Sequence, residues 1–426
     1  MPCAVKARPK AAIVRAVCPP RSGLSDGVQA LECRMRIAFY APLKSPTHDV
    51  PSGDRRVGRL LMDALRMAGH SVELASDFRA FEGTGDAQRQ AAIREEGIAI
   101  TRGLVRRWRE AAVPERPDLW FTYHLYYKAP DWLGPEVSQQ LGIPYVAAEA
   151  SYAARRVGGP WAIGHAAVRD AIQAAALLLC PTRDDVAGLR QVASADAWIV
   201  RLPPFLDPAP YRAAAQKRSM YRAALGSAHA LAERQPWLVV AAMMRGGDKL
   251  ASYRLLARAL ELLVDLPWQI LVAGDGPAGA EVQALLERAA PGRTRFLGQC
   301  DVDALAAVYA ACDLCIWPAV NEAYGMAMLE AQAAGTAVVS CAARGVPDVV
   351  CDGITGLLAA PGDAQGLANR ARELLVDQPR RVAMGQAAAR FVDEQRSTSQ
   401  AAGQLNRAFE NLPRGGPKQT GAGVPI

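Results

Sequence analysis

The chain has 426 residues, 51% of them hydrophobic and 21% charged, which is enough for two domains with real cores and ordinary for a globular protein. Its formal charge of +7 is uneven: residues 1–34 carry six Lys/Arg against Asp26 and Glu32, a net +4, leaving only +3 for the rest. That balance does not describe a globally basic surface for nucleic acid, and no apolar run approaches the ~20 residues of a membrane span.

Residues 1–34 have a basic start, but Arg15 interrupts the apolar stretch and no small-residue cleavage site follows. They make a poor signal peptide and read as a disordered extension. From Met35 the pattern changes. "MRIAFYAP" reads as a buried strand, followed by the loop "LKSPTHDVPSGD" and a helix "RRVGRLLMDALRMAGH" closed at Gly69. "SVELAS" (71–76), "DLWFTYH" (118–124), "PYVAAEA" (144–150) and "AALLLCPT" (175–182) continue as strands with helical segments between them. The βαβ rhythm predicts a parallel, doubly wound sheet.

A proline-rich hinge, "RLPPFLDPAP" (201–210), interrupts the rhythm. It restarts after a polar helix with "WLVVAAMM", "WQILVAG", "TRFLG", "DLCIWPA" and "TAVVSC". The fold class is therefore α/β, with two Rossmann-like domains facing across a cleft. The expected boundaries are 35–205 for the first domain and 206–388 for the second. A helix over 389–412 is expected to return to the first domain, with a flexible tail at 413–426.

Nine cysteines show no secretory framework and suit a reducing cytoplasm. Cys312 and Cys315 form a lone CxxC, which reads as a helix end running into a buried strand rather than a metal or redox site. The group "RRWR" (106–109) reads as a solvated helix face; the alternative is a contact with an acidic acceptor or with anionic headgroups, peripheral to the inner face of a membrane.

Ligands of such sheets lie beyond the carboxyl ends of the strands, and several polar residues are expected there. In "NEAYGMAMLE" (321–330), Glu322 lies on a loop and Glu330 two turns into a helix whose side chains tilt back toward its N-terminus. Backbone N–H groups near Gly325 and Met326 offer an anion site. Two carboxylates beside it suit sugar hydroxyls better than phosphate; the plainer alternative is one capping and one solvated glutamate. "AAMMRGGDKLAS" puts Arg245 and Lys249 on a glycine loop, where two cations can neutralise a diphosphate. Gly274 and Gly276 in "LVAGDGPAG" allow close backbone approach to a ligand, although a lone GxG is more often a tight turn. On the first-domain side, Ser52, Gly53 and Asp54 follow the first strand, and His124 ends "DLWFTYH".

The ordered motifs over 237–363, namely the Arg-Lys loop, "GDGP", "FLG", E-x7-E, "GTAVV" and "DGITGLLAAPGD", resemble the retaining glycosyltransferases of family 4, which have the GT-B fold. The resemblance extends more loosely over residues 35–412. It implies a transferase of the hexosyl-transferring kind, moving a sugar from a nucleotide-diphosphate sugar to a sugar, glycolipid or other hydroxyl acceptor in polysaccharide or glycolipid synthesis. Configuration would be retained through front-side substitution, with the leaving diphosphate helping to deprotonate the acceptor. It implies Glu330 at the ribose, Glu322 at the donor sugar, and Tyr324, Gly325 and Met326 at the sugar and distal phosphate. Arg245 and Lys249 would meet the diphosphate and His124 the reacting sugar, with no cofactor and no obligatory metal. Ser52, Gly53 and Asp54 stand for the family's double-glycine loop on the acceptor side.

The chain departs from that pattern in places. Its Arg and Lys are four apart instead of five, and Met244 occupies the usual Arg position. The double-glycine loop is reduced to "PSGD", "PPFLD" replaces Asn-Gly before the linker, and Ala323 stands where glycine is common. The alternatives are a catalytically inactive nucleotide-sugar-binding protein and a GT-B epimerase; a phosphorylase would need a pyridoxal lysine motif that the sequence lacks.

Overall fold

A computed structural model describes residues 35–50 and 52–412. The expected extension (1–34) and tail (413–426) lie outside the described residues, as does Pro51 of the "PSGD" loop. In chain order the first half comprises β1 (Arg36–Tyr40), α1 (Gly53–Met67), β2 (Ser71–Ser76), α2 (Ala87–Glu110), β3 (Leu119–Leu125) and α3 (Gly134–Leu141). It continues through β4 (Tyr145–Ala150), α4 (Ala162–Ala174), β5 (Leu177–Cys180), α5 (Arg183–Leu189) and β6 (Trp198–Arg201). Helices α6 (Ala209–Gln216) and α7 (Arg218–His229) follow the proline-rich linker.

The second half alternates β7 (Trp237–Ala241), α8 (Asp248–Glu261), β8 (Gln269–Ala273), α9 (Gly279–Ala289), β9 (Thr294–Gly298) and α10 (Val302–Ala311). Then come β10 (Leu314–Trp317), α11 (Met326–Ala333), β11 (Ala337–Cys341), β12 (Gly356–Ala359), α12 (Ala364–Val376), α13 (Gln378–Gln395) and α14 (Thr398–Glu410).

Both sheets are six-stranded and parallel throughout, in the orders β2-β1-β3-β4-β5-β6 and β12-β11-β10-β7-β8-β9. Helices cover both faces, which is why the central strands are nearly continuous apolar runs. Every residue of β8, β10 and β11 is buried. The strand order reverses between β1 and β3 in one sheet and between β7 and β10 in the other. Such switch points open a crevice outside the strand ends, where ligands of this architecture sit. The loops after β1, β7 and β10 and the residue His124 in β3 are the segments singled out above.

Two expectations need correction. The hinge begins one residue late, because Arg201 closes β6. The single returning helix over 389–412 is two helices: α13 packs on α11 and β11 of the second half, whereas α14 packs on α1 of the first. The break at Arg396–Ser397 has a physical cause. The Leu206 N–H donates to Arg396 O, and the Thr398 N–H donates to Leu206 O, both at 2.9 Å. The outgoing linker and the returning chain therefore pair where they cross. Ala401, Leu405, Ala408 and Phe409 of α14 then join the apolar core beneath the first sheet.

Cys312 and Cys315 are buried free thiols at the end of α10 and in β10, matching the helix-into-strand reading. The "RRWR" group closes α2: Trp108 is in the core, Arg107 pairs with Glu73, and Arg109 donates to Gln140 O. No helix of the described residues is long and apolar enough to cross a membrane.

Candidate active site

The loop between β10 and α11 holds Asn321, Glu322 and Tyr324. Ala319 and Asn321 both adopt left-handed backbone (φ 57° and 52°), a conformation disfavoured for side chains other than glycine. Side chains of α8 brace it: Val320 N–H donates to Ser252 Oγ at 3.0 Å, and Asn321 Nδ2 donates to Asp248 Oδ2 at 2.8 Å. Gly325 then opens α11 at φ 72°, where a Cβ would lie 2.1 Å from the Met328 methyl. No side chain caps α11; the Met328 N–H donates to Gly325 O at 3.0 Å, so the Met326 and Ala327 N–H groups are the ones left for solvent or a ligand.

Glu322 forms a close ion pair with Lys249 Nζ, and Trp317 Nε1 stands 3.5 Å from the same oxygen. Lys249 stands in the first turn of α8 and not on the glycine loop before it, so the start of α8 and the loop after β10 meet at one carboxylate. Arg245 does not join them. It is exposed and has no hydrogen-bond or ion-pair partner among the described residues, while Met244 beside it is buried in the core. The four-residue spacing puts the methionine inward and the arginine outward.

Gly274 and Gly276 have positive φ (135° and 149°), and a Cβ on either would collide with backbone oxygen of Ala242 (2.0 Å) or Met244 (2.4 Å). Met244 N–H also donates to Asp275 O at 2.9 Å. These glycines let the β8 loop lie directly on the β7 loop. In the structure they support the loop that leads into α8 and Lys249.

In the first half, Ser52 caps α1, its Oγ accepting from Arg55 N–H at 3.2 Å. Gly53 has open space around it, and Asp54 in the first turn accepts from His124 Nδ1 at 2.9 Å. His124 (φ 61°) and Glu149 (φ 56°), at the ends of β3 and β4, are both left-handed, and His124 Nδ1 lies 3.8 Å from Glu149 Oε1. Burial alone would lower the His124 value, but Glu149 and Asp54 outweigh it and hold the imidazole above its ordinary value. Asp54, resisted by burial, is held below the usual carboxylate range by its hydrogen bond from His124. Burial raises Glu149, opposed by His124 and Tyr324.

Two contacts tie the halves together at this point. The Tyr324 hydroxyl donates to Glu149 Oε2 at 2.8 Å. Buried Glu330 receives Arg56 Nη1 of α1 on Oε1 at 2.5 Å, and Arg56 Nη2 donates to the Tyr211 hydroxyl at 2.7 Å. Burial pushes the Glu330 carboxyl up to about 7, with Arg56 acting against that rise. Arg56, Glu149 and Tyr211 were not among the sequence candidates. A signal existed for two of them: arginines in a first helical turn oppose the helix dipole and need a partner, and Glu149 is a lone charge in a buried strand.

Residues 243–391 match the family described as "Glycosyl transferases group 1". Among curated relatives, the chain is 43% identical over 115 residues to D-inositol 3-phosphate glycosyltransferase of Corynebacterium aurimucosum, covering 27% of each chain. It is 29% identical over 155 residues to N-acetyl-alpha-D-glucosaminyl L-malate synthase of Bacillus anthracis, covering 36% of this chain and 40% of that one. The chain thus spans well under half the length of these relatives. Among solved structures, sucrose-phosphate synthase from Thermosynechococcus elongatus aligns with a TM-score of 0.68 at 22% identity, over 88% of this chain and 98% of that one. HepE from Anabaena in complex with UDP-glucose aligns with a TM-score of 0.64 at 18% identity, over 89% and 100%. At these identities the structural likeness shows the fold, the two-sheet GT-B arrangement.

Proposed function

Since residues 243–391 match the glycosyl transferases group 1 family, we propose that the chain belongs to it and moves a sugar from a nucleoside-diphosphate sugar to an acceptor hydroxyl with retention of configuration. The observation that carries this reading is the Lys249–Glu322 pair beside the uncapped start of α11, the helix that also bears Glu330, at the switch point of the second sheet. Tyr324 of the same loop donates to Glu149, beside which His124 and its partner Asp54 stand in the first half. A cation and free helix N–H groups suit the diphosphate, and the carboxylates suit ribose and sugar hydroxyls.

In this mechanism Lys249 and the first turn of α11 take up charge that develops on the leaving diphosphate, an interaction strongest in the transition state. Glu322 orients the donor sugar once Lys249 turns from it to the phosphate. His124, fixed by Asp54, stands at the sugar on the first-half side. The diphosphate oxygen accepts the proton of the incoming hydroxyl as the glycosidic bond forms and the sugar–phosphate bond breaks on the same face. The charge is met by Lys249 and backbone N–H groups, so the reading assigns no step to a metal.

The acceptor is placed on the first half, near Asp54 and the loop after β1, in glycan or glycolipid synthesis. A panel of UDP-, GDP- and ADP-sugars tests the reading through thermal stabilisation and release of the nucleoside diphosphate with a hydroxyl acceptor. Stabilisation by none of the three donors defeats it. Stabilisation with no transfer to any of a broad set of acceptors favours a binding protein, and isomerised donor favours an epimerase.

A further inference from the structure

Glu330 is the most constrained carboxylate of the site. Its side chain is only 4% exposed, and it lies on α11 in the second half. The groups that face it come from four other elements: Arg56 on α1, Tyr211 on α6, Tyr309 on α10 and Cys315 in β10. Arg56 is the only cation among them, and it belongs to the first half. Its guanidinium is oriented on both branches, by Glu330 Oε1 through Nη1 and by the Tyr211 hydroxyl through Nη2. Glu330 Oε2 carries no hydrogen bond from the described residues.

We infer that Arg56 is a positioning residue of the donor site, reaching across the cleft to hold Glu330 at Oε1 and keep Oε2 charged and free for a ribose hydroxyl of the nucleotide. This rests on the proposed reading of Glu330 as a nucleotide ligand. A carboxylate in so dry a place drifts toward its neutral form, which is a poorer acceptor and a competing donor. The guanidinium opposes that drift without filling both oxygens. Because the cation sits on α1 and the carboxylate on α11, nucleotide grip depends on the two halves being together. Tyr211 keeps the guanidinium from swinging into solvent, since Arg56 retains about a third of its side-chain exposure (31%).

The test is calorimetric titration of the full chain with UDP, GDP and ADP between pH 6 and 9, carrying forward whichever nucleotide the unaltered chain binds. Affinity of the unaltered chain is expected to fall as pH drops through about 7, where Glu330 takes up its proton. In Arg56→Met that midpoint moves up by about one pH unit or more, so affinity near pH 7.5 falls by about threefold or more while the two proteins draw together toward pH 9. Arg56→Lys lies between them. Glu330→Gln removes this limb and leaves only the titration of the nucleotide's own phosphate.

An Arg56→Met protein whose affinity is unchanged, or is lowered equally at every pH, overturns the inference. Tighter binding at every pH also overturns it, by making Arg56 a plug in the ribose position. Should Arg56→Met fail to fold, an unmoved midpoint in Arg56→Lys is the overturning result. Failure of the underlying reading looks different: Glu330→Gln then binds the nucleotide as tightly as the parent and keeps the same pH limb.

Discussion

Replacing Glu149 by Gln separates its charge from its hydrogen bond, because the amide oxygen still accepts from the Tyr324 hydroxyl. The charge acts on His124, whose Nδ1 is 3.8 Å away. At an effective dielectric of about 20, that separation corresponds to roughly 4 kcal/mol of gross attraction. Both side chains retain about a fifth of their exposure (21% and 19%), so water screens part of it. A net loss of about 1–2 kcal/mol lowers the His124 midpoint by roughly one unit. Asp54 at 2.9 Å keeps it from falling further, and Asp185 adds a weaker pull in the same direction.

Imidazole-selective NMR titration reads the change directly, since the chain has only five histidines and His124→Gln assigns the resonance. Stability follows the same sign. A histidine raised in the fold contributes stability that is fully present below its unfolded value of about 6.5 and is lost as pH rises through the folded value. In Glu149→Gln that loss is complete at a lower pH. An unmoved His124 midpoint refutes the coupling.

Lys249→Ala is expected to weaken nucleoside diphosphate binding by about 1.5–3 kcal/mol, the range for a lost charge-assisted contact, as measured by calorimetry. Glu322→Gln is expected to lower turnover while leaving bare nucleoside diphosphate affinity the same or tighter, because its assigned partner is the sugar and Lys249 no longer has to leave a carboxylate. Transfer is expected to continue at the same rate after chelation with EDTA, measured as nucleoside diphosphate release. Gly276→Ala drives a Cβ to within 2.4 Å of Met244 O at a φ of 149°. It is expected to cost more than about 1–3 kcal/mol in urea unfolding, and equal stability to the parent contradicts the packing role.

Most of the fold could be read because central strands of a parallel sheet are apolar on both faces. "WQILVAG" and "PYVAAEA" contain the internal strands β8 and β4 whole, and "SVELAS" and "TRFLG" coincide with the edge strands β2 and β9, which their β-branched and apolar residues and flanking turns marked. The two strands not anticipated, β6 and β12, are four-residue edge strands at the ends of the two sheets. β6 is partly solvated and carries Arg201, so it reads as linker. β12 is a short apolar run between glycine-rich turns, too brief to separate from a loop. At the site, strand-end positions pointed to His124, Lys249, Glu322 and Glu330. Their partners were hidden by distance along the chain: Arg56 precedes Glu330 by 274 residues, and Glu149 precedes Tyr324 by 175. Arg245 shows the reverse case, since counting cations on a loop cannot tell which of Met244 and Arg245 turns inward.

The same contacts explain why one carboxylate stands on a loop and another seven residues later inside a helix. Glu322 is neutralised within its own half by Lys249, and Glu330 across the cleft by Arg56. An unpaired charge in either place would cost several kcal/mol, so both carboxylates are compensated before any ligand arrives. On the proposed function, donor binding is then an exchange. Lys249 must trade a carboxylate for phosphate, which frees Glu322 for the sugar. Glu330 can keep Arg56 and add a ribose hydroxyl on its second oxygen. The loop glutamate has a partner that the diphosphate competes for, and the helix glutamate has one that it does not. That asymmetry makes the sugar contact conditional on the phosphate, while the ribose contact depends only on closure of the two halves.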